Sequence, residues 1–295
     1  MRSLLADLDH ALAERERDGS PGGTRGRRVA SGDGWSVTDV ICTSGPEDRP
    51  FEERHERVGI AIVVAGSFGY RAATGRALLT PGALLLGDAG CGYECGHDHG
   101  RGDRCLAFQF APELFERIAA DAGVAAGARR FGRPRLPPLR ETAPLVTRAA
   151  AGLAGVAAVS WEELAIEVAG RTVTLAAGLS ADGASLPVGT EARVAAVVRR
   201  IEREPAGQAS LATLARESGT SPYHFLRAFE RATGVTPHQF VLRTRLRAAA
   251  LALAAGGGKV IDVALDAGFG DLANFHRAFR AELGQTPAAF RRRAS

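Results

Sequence analysis

The residues best suited to chemistry sit in one short run, 91–105, which reads CGYECGHDHGRGDRC and holds three of the chain's four cysteines and two of its seven histidines. Two thiolates with one or two imidazoles suit tetrahedral zinc, or a soft ion such as Cu(I). The candidate ligands are Cys91, Cys95, His97, His99 and Cys105, although C-x3-C-x-H-x-H-x5-C is not a zinc-finger spacing. All five are odd-numbered, as is Asp103, and odd positions of an extended strand share one face. Glycines at 90, 92, 96, 100 and 102 argue instead for a glycine-rich loop between two strands, folded tightly enough to converge ligands on an ion. Blander readings stand beside this one. Cys105 and Cys42 read as small buried hydrophobes on strands, and His97 or His99 as partners of loop backbone. Thiol sensing of oxidants or electrophiles is a further option, and His55 could complete a site.

What positions these residues depends on the rest of the chain. Its 295 residues suffice for two domains with separate cores, and 45% hydrophobic with 24% charged residues fits a globular chain. No apolar run approaches the roughly 20 residues of a membrane-spanning helix. The first residues, MRSLLADLDHALAERERDG, are polar at helical spacing and lack the apolar core of a signal peptide. Four unevenly placed cysteines do not make a secreted disulfide framework, so the expected address is the cytoplasm, with reduced thiols. The net charge of +4 is unevenly distributed. Residues 189–295 carry 16 Lys+Arg against 9 Asp+Glu, and the remainder 21 against 24. A basic end on a slightly acidic body is the footprint of a nucleic-acid-binding domain, or else a solvated charged face.

That basic end contains a repeat. HFLRAFERATGVTPHQF (224–240) aligns without a gap to NFHRAFRAELGQTPAAF (274–290), with eight identities in seventeen positions. A short apolar helix followed by glycine precedes each copy, in LATLARESGTS and VIDVALDAGFGD. Each unit thus reads as helix, tight turn, helix. Ser221 caps the second helix of the first unit with Pro222 at its first position, and Asp271 caps its counterpart. Phe225 with Phe229, and Phe275 with Phe279, lie at i, i+4 and face inward. Gly234 and Gly284 end these helices, and Thr-Pro restarts the chain.

Two such units about 50 residues apart, joined by the helix PHQFVLRTRLRAAALALA, resemble the AraC/XylS family of bacterial transcription regulators over roughly residues 190–293. The resemblance implies a seven-helix domain that sets two recognition helices, near 221–231 and 271–281, into successive major grooves of double-stranded DNA, roughly 34 Å apart. The candidate DNA-facing residues are Tyr223, His224, Leu226 and Arg227 on the first, and Ala273, Asn274, His276 and Arg277 on the second. Arg227 and Arg277 match the position from which family members reach DNA, and a guanidinium suits bidentate reading of guanine. Arg243, Arg245 and Arg247 on the joining helix, and the terminal Arg291, Arg292 and Arg293, read as phosphate contacts or plain surface.

Ahead of this domain, WSVTDVICT, VGIAIVVAGSFGYRA, RALLTPGALLLGDAG and RCLAFQFAP are short strand-like runs punctuated by glycine and proline. They look like the cupin-like barrel that such regulators carry as a sensor, without a complete cupin metal motif. After Phe110 the chain turns to Ala/Leu/Val-rich helical spacing, a helical region suited to dimerisation or to packing on the barrel. The expected fold class is α+β: an N-terminal cupin-like β-barrel with flanking helices, then an all-α domain with two helix-turn-helix units. The boundaries fall at 1–111 (sensor), 112–180 (helical region), 181–189 (flexible linker) and 190–295 (DNA-binding).

The expected function is one-component transcription regulation, with a DNA operator, RNA polymerase, a small-molecule or metal effector and a second copy of the chain as partners. No membrane is expected, no cofactor is required, and zinc or another soft divalent metal is the optional one. The alternatives are a metal-dependent cupin-type enzyme, an alkyl-accepting regulator and a constitutive DNA binder. Cys91 and Cys95 echo the first cysteine pair of the family's methyl-accepting member, but no CxxC follows.

Overall fold

The computed structural model describes residues 4–179 and 189–294. The linker read at 181–189 therefore lies, apart from Gly189, outside the described residues. The N-terminal half is built on two antiparallel sheets. The larger has the spatial order β1 (Thr24–Gly32), β2 (Trp35–Cys42), β9 (Asp103–Phe110), β4 (Val58–Gly66), β7 (Leu84–Gly87), β10 (Arg135–Leu136). The smaller has the order β3 (Phe51–Arg54), β8 (Gly92–Gly96), β5 (Phe68–Ala72), β6 (Gly75–Leu79). Among the described residues, no helix is long and apolar enough to cross a membrane.

The central strands are buried on both faces, which is why VGIAIVVAG and LLLG show apolar runs instead of alternation. Ile60, Ile62, Leu84, Leu86, Phe108 and Phe110 point to one side. There they meet Phe115 and Ile118 of α2 (Pro112–Asp121), Leu145 and Val146 of α3 (Ala143–Leu153), and Leu164 and Val168 of α4 (Trp161–Gly178). Val63, Leu85 and Cys105 point to the other side and meet Phe68, Tyr70, Leu79 and Cys95 of the smaller sheet. The helical spacing after Phe110 thus serves the barrel's own core.

One sequence reading needs revision. Part of the expected glycine-rich loop is a strand, because β8 pairs with both β3 and β5. Tyr93 and Cys95 join the inter-sheet core, while Glu94 accepts from Arg71 across the strands at 2.6 Å. The loop proper begins at His97 and ends where β9 starts.

α1 (Leu4–Asp18) is fixed to the larger sheet by a buried cation. Arg104, 4% exposed, donates to both carboxylate oxygens of Asp39 at 2.9 Å, to Asp7 at 2.8 Å and to the carbonyl of Leu4 at 3.3 Å. Such a network stabilises mainly through its completeness, since removing one member leaves a charge buried and unpaired.

Seven helices follow, as the resemblance implies: α5 (Thr190–Arg203), α6 (Leu211–Glu217), α7 (Pro222–Thr233), α8 (Pro237–Ala254), α9 (Val260–Asp266), α10 (Leu272–Leu283) and α11 (Pro287–Ala294). The two helix-turn-helix units have separate cores. Phe225 and Phe229 pack with Val194, Val198 and Leu214, whereas Phe275 and Phe279 pack with Leu253, Val263 and Phe290. Ser221 Oγ accepts from the His224 amide, and the Asp271 carboxylate from those of Ala273 and Asn274. Gly234 and Gly284, at φ 78° and 73°, take the left-handed turn that closes α7 and α10 at little strain for glycine alone.

Replacing Arg104 by alanine is expected to destabilise the N-terminal half by about 3 kcal/mol, because Asp39 then stays buried without its partner. Urea unfolding followed by the fluorescence of Trp35 and Trp161 measures this.

Candidate functional site

α7 and α10 present equivalent surfaces. Their phenylalanines are 0–1% exposed, while Tyr223 is 68% exposed. His224 and Arg227, and in the second unit Ala273, Asn274, His276 and Arg277, are exposed as well, and Leu226 is half-buried. Neither Arg227 nor Arg277 is paired with a carboxylate among the described residues. A groove of about 220 Å³ between α5 and α7 is lined by Arg193, Arg227 and Arg231.

The opposite ends of the two helices are tied down. Arg135 of β10 donates to the carbonyl of Ala232 in the last turn of α7, and Arg140 to that of Ala281 in the last turn of α10 at 2.7 Å. A guanidinium there satisfies an orphan carbonyl and complements the negative end of the helix dipole. The free N-terminal turns and the tethered C-terminal turns therefore have the same sense in both units.

The expectation for Arg243 and Arg245 is corrected. Arg243 donates to Glu282 of α10 at 2.9 Å and to the carbonyl of Pro138 at 2.6 Å. Arg245 donates to the carbonyls of Pro205, Gly207 and Gly268, and its burial lowers its pKa. Both are half-buried internal braces between elements, because α8 runs through the middle of the domain and not along its surface.

A family model described as a helix-turn-helix domain matches residues 214–293. Over 79 residues the chain is 38% identical to the probable transcription factor PqrA of Proteus vulgaris, covering 27% of this chain and 65% of that one. Regulatory protein SoxS of Salmonella typhimurium is 32% identical over 80 residues, which are 27% of this chain and 75% of SoxS. The chain belongs to the AraC family. Among solved structures, the DNA-binding domain of AdpA in complex with a target DNA is 31% identical, with 34% of this chain and 90% of that one covered at a TM-score of 0.33. The chain covers 65% of PqrA and 29% of the right origin-binding protein of Escherichia coli (strain K12).

The other half of this AraC-family chain encloses a cavity of about 270 Å³ between its two sheets. One end is aromatic: His55 stacks on Tyr93 at 4.1 Å, and its Nε2 lies 2.9 Å from the Tyr70 hydroxyl. Burial depresses the His55 pKa to about 4 against the opposing pull of Glu53, so the ring is a neutral wall at ordinary pH. The other end carries Cys42, Cys95, Asp103 and Cys105.

The five ligand candidates are not brought together as one set. Cys91 Sγ lies 3.6 Å from Arg130, and His99 lies 3.8 Å from Glu191 of α5 while its carbonyl accepts from Arg199. Cys95 and Cys105 face the inter-sheet core, and Cys105 Sγ donates to Asp103 Oδ2 at 3.2 Å. Only His97 reaches other strong ligand types. Its Nε2 is 2.7 Å from Asp103 Oδ1, and one ring nitrogen, one Asp103 oxygen and Cys42 Sγ lie within 4.8 Å of one another. Burial opposes a charged His97, but Asp103 and the adjacent Cys42 outweigh it and hold its pKa near 10. Burial likewise opposes a thiolate at Cys42, and the imidazole beside it nevertheless draws its pKa down. Burial pushes Cys95 and Cys105 well up.

Cys42 is the member that lies outside 91–105, and Asp103 lies within the run but is not among the five candidates. They are directly opposed in the antiparallel register of β2 and β9. The signal was present in the odd parity of Asp103, but it needed the strand pairing to become a contact.

The β-domain half meets the helical C-terminal half at a polar seam. Glu202 of α5 accepts from the amide of Gly66 at 3.1 Å, and Arg203 donates to Asp9 at 3.0 Å. Burial raises the Glu202 pKa to about 7, against the pull of the Gly66 amide, Arg247 and Arg203, while Asp9 adds to the rise. A carboxyl whose folded pKa lies above its ordinary value near 4.5 is more readily ionised in the unfolded chain, so its contribution falls as pH rises from about 4.5 through 7. Glu202→Gln keeps the acceptor without the charge. Its stability relative to wild type is expected to rise by on the order of 2 kcal/mol between about pH 5 and about pH 8, read from urea unfolding at each pH.

Proposed function

We propose that the chain is a one-component, sequence-specific DNA-binding transcription regulator whose β-domain takes a small effector. The observation that carries this reading is the duplicated exposure of α7 and α10. Each buries a phenylalanine pair and exposes, in the same register, an arginine that no carboxylate pairs among the described residues, with an exposed histidine nearby at a position that differs between the two units. Insertion of two such N-terminal turns into successive major grooves is what the helix-turn-helix geometry provides for. Arg227 and Arg277 read guanine edges, and Tyr223, His224, Leu226, Ala273, Asn274 and His276 complete the base-facing surface. The exposed Arg292 and Arg293 are suited to phosphate.

The cavity between the sheets supports the effector arm, being mostly apolar with a few converging polar groups, in keeping with a small ligand. RNA polymerase as downstream partner, a homodimer formed through the helical region and a cytoplasmic address belong to the same reading. The enzymatic alternatives are set aside, since the relatives are named as a transcription factor and a regulatory protein.

The test is a mobility-shift titration on the sequence that the purified chain selects from a random duplex pool, repeated on unselected duplex and across salt. Salt-sensitive binding with a preference for the selected sequence is expected. Arg277→Ala is expected to weaken the selected complex by about 1–3 kcal/mol and the unselected one much less. Equal losses on both would make Arg277 a phosphate contact, and no binding by the wild-type chain would overturn the function.

A further inference from the structure

We infer that Cys42, His97 and Asp103 form a binding site for a single divalent cation of the zinc type, built across β2, the turn at 97–102 and β9. The three side chains come from separate segments and converge to within 4.8 Å at the thiol end of the inter-sheet cavity. The register of β2 on β9 sets Cys42 opposite Asp103, and the turn brings His97 back over both. All three are buried, at 4%, 4% and 5% exposure.

A second observation points to an absent ligand. His97 Nε2 is engaged by Asp103, but Nδ1 is buried without a hydrogen-bond partner. A buried polar atom left unsatisfied costs about 1–3 kcal/mol, so it calls for an occupant. The neighbouring Cys42 thiol interacts with the ring without a well-formed hydrogen bond to Nδ1, and a metal ion held by both would take the place of that contact.

The donor set selects the class of ion. Thiolate, imidazole and carboxylate are together the ligand types of zinc, while magnesium and calcium take oxygen almost alone. Zinc–donor lengths of about 2.0–2.3 Å in a tetrahedral shell put two donors about 3.3–3.8 Å apart, so a span of up to 4.8 Å closes by side-chain rotation. Three protein ligands leave a position facing the cavity, where water or a small molecule completes the shell. The Cys105 thiol, already on Asp103, lies next to the set.

The turn that carries His97 also carries His99, which touches Arg199 and Glu191 of α5. Occupancy would therefore reach the helical domain through a few residues. That consequence rests on the proposed function; the site itself does not.

The experiment uses the full chain, stripped of metal and kept reduced. Cobalt(II) titration is expected to reach one equivalent, with thiolate-to-cobalt charge-transfer absorption and the intense visible bands of a low-coordinate site, and zinc(II) should displace it. Cys42→Ser should lose the charge-transfer band, and His97→Gln should weaken binding at least tenfold. Cys91→Ser, outside the set, should behave as wild type. Zinc(II) should also raise the melting temperature of wild type and Cys91→Ser over their own apo forms, but not that of Cys42→Ser, which keeps the comparison valid if a variant is less stable. Absence of the band, its persistence in Cys42→Ser or its loss in Cys91→Ser would overturn the site. So would rapid alkylation of Cys42 by iodoacetamide in a chain that takes up no cobalt, which would make the cluster an activated thiol. Failure on any of these counts leaves the mobility-shift result untouched.

Discussion

The two arginines on the short segment 135–140 hold α7 and α10 at their C-terminal ends. The helix-turn-helix units share no core: Phe225 and Phe229 belong to one cluster, and Phe275 and Phe279 to another. What fixes one unit relative to the other is α8, which passes between them, and the segment that caps both α7 and α10 at their C-terminal ends. Arg243 strengthens the second tie by joining α8, α10 and the carbonyl of Pro138. A segment of the β-domain half thus sets the relative placement of two helices in the other half. Reading two grooves at once requires that placement to be right to within a fraction of a helical turn.

The β-domain is organised around the same seam. Its cavity has a neutral aromatic end, where His55 and Tyr93 stack, and a thiol end, where His97 is held by Asp103. The thiol end is the one that adjoins α5, since the turn after His97 delivers His99 to Arg199 and Glu191. Gly66, at the end of β4, meets Glu202 on the same helix. A change in the packing of β9 against its turn has a short covalent and hydrogen-bonded path to the helical domain. The aromatic end abuts the thiol end, since Tyr93 and Cys95 are successive residues on one face of β8 and Tyr70 is paired with Cys95.

How much of this could be read from sequence depends on how local the determining contacts are. The repeat was legible because its signals lie within a few residues of one another. Ser221 and Asp271 cap, the phenylalanines recur at i, i+4, and Gly234 and Gly284 close the helices. The central strands were legible from composition, but β1 and β3 were not. Their residues are mostly exposed, so TRGRRVASG and FEER carry no apolar alternation to detect. The thiol cluster was half legible. His97 stood in a suspicious run, but its partners were fixed by pairing β2 with β9, some sixty residues away in sequence. Nearness along 91–105 grouped Cys91 and His99 with His97, but a strand and a turn carry them to different neighbours, Cys91 to Arg130 and His99 to Glu191.

The misreading of Arg243 and Arg245 bears on the meaning of the basic C-terminal end. Surface and internal arginines are identical in composition, and an excess of charge counts both. Here a considerable share of the excess is structural: Arg199 and Arg245 hold carbonyls, Arg243 holds Glu282, Arg200 lies 2.9 Å from Glu217, and Arg203 reaches Asp9. The guanidinium suits this work, because its planar fork can hold two or three carbonyls at fixed angles where an ammonium acts as a single point. Fewer arginines face outward than the count suggests, and Arg227 and Arg277, which no carboxylate pairs among the described residues, are among those that do. Non-specific attraction to polyanions follows the outward charge. Under the proposed function, discrimination would follow the two helix faces.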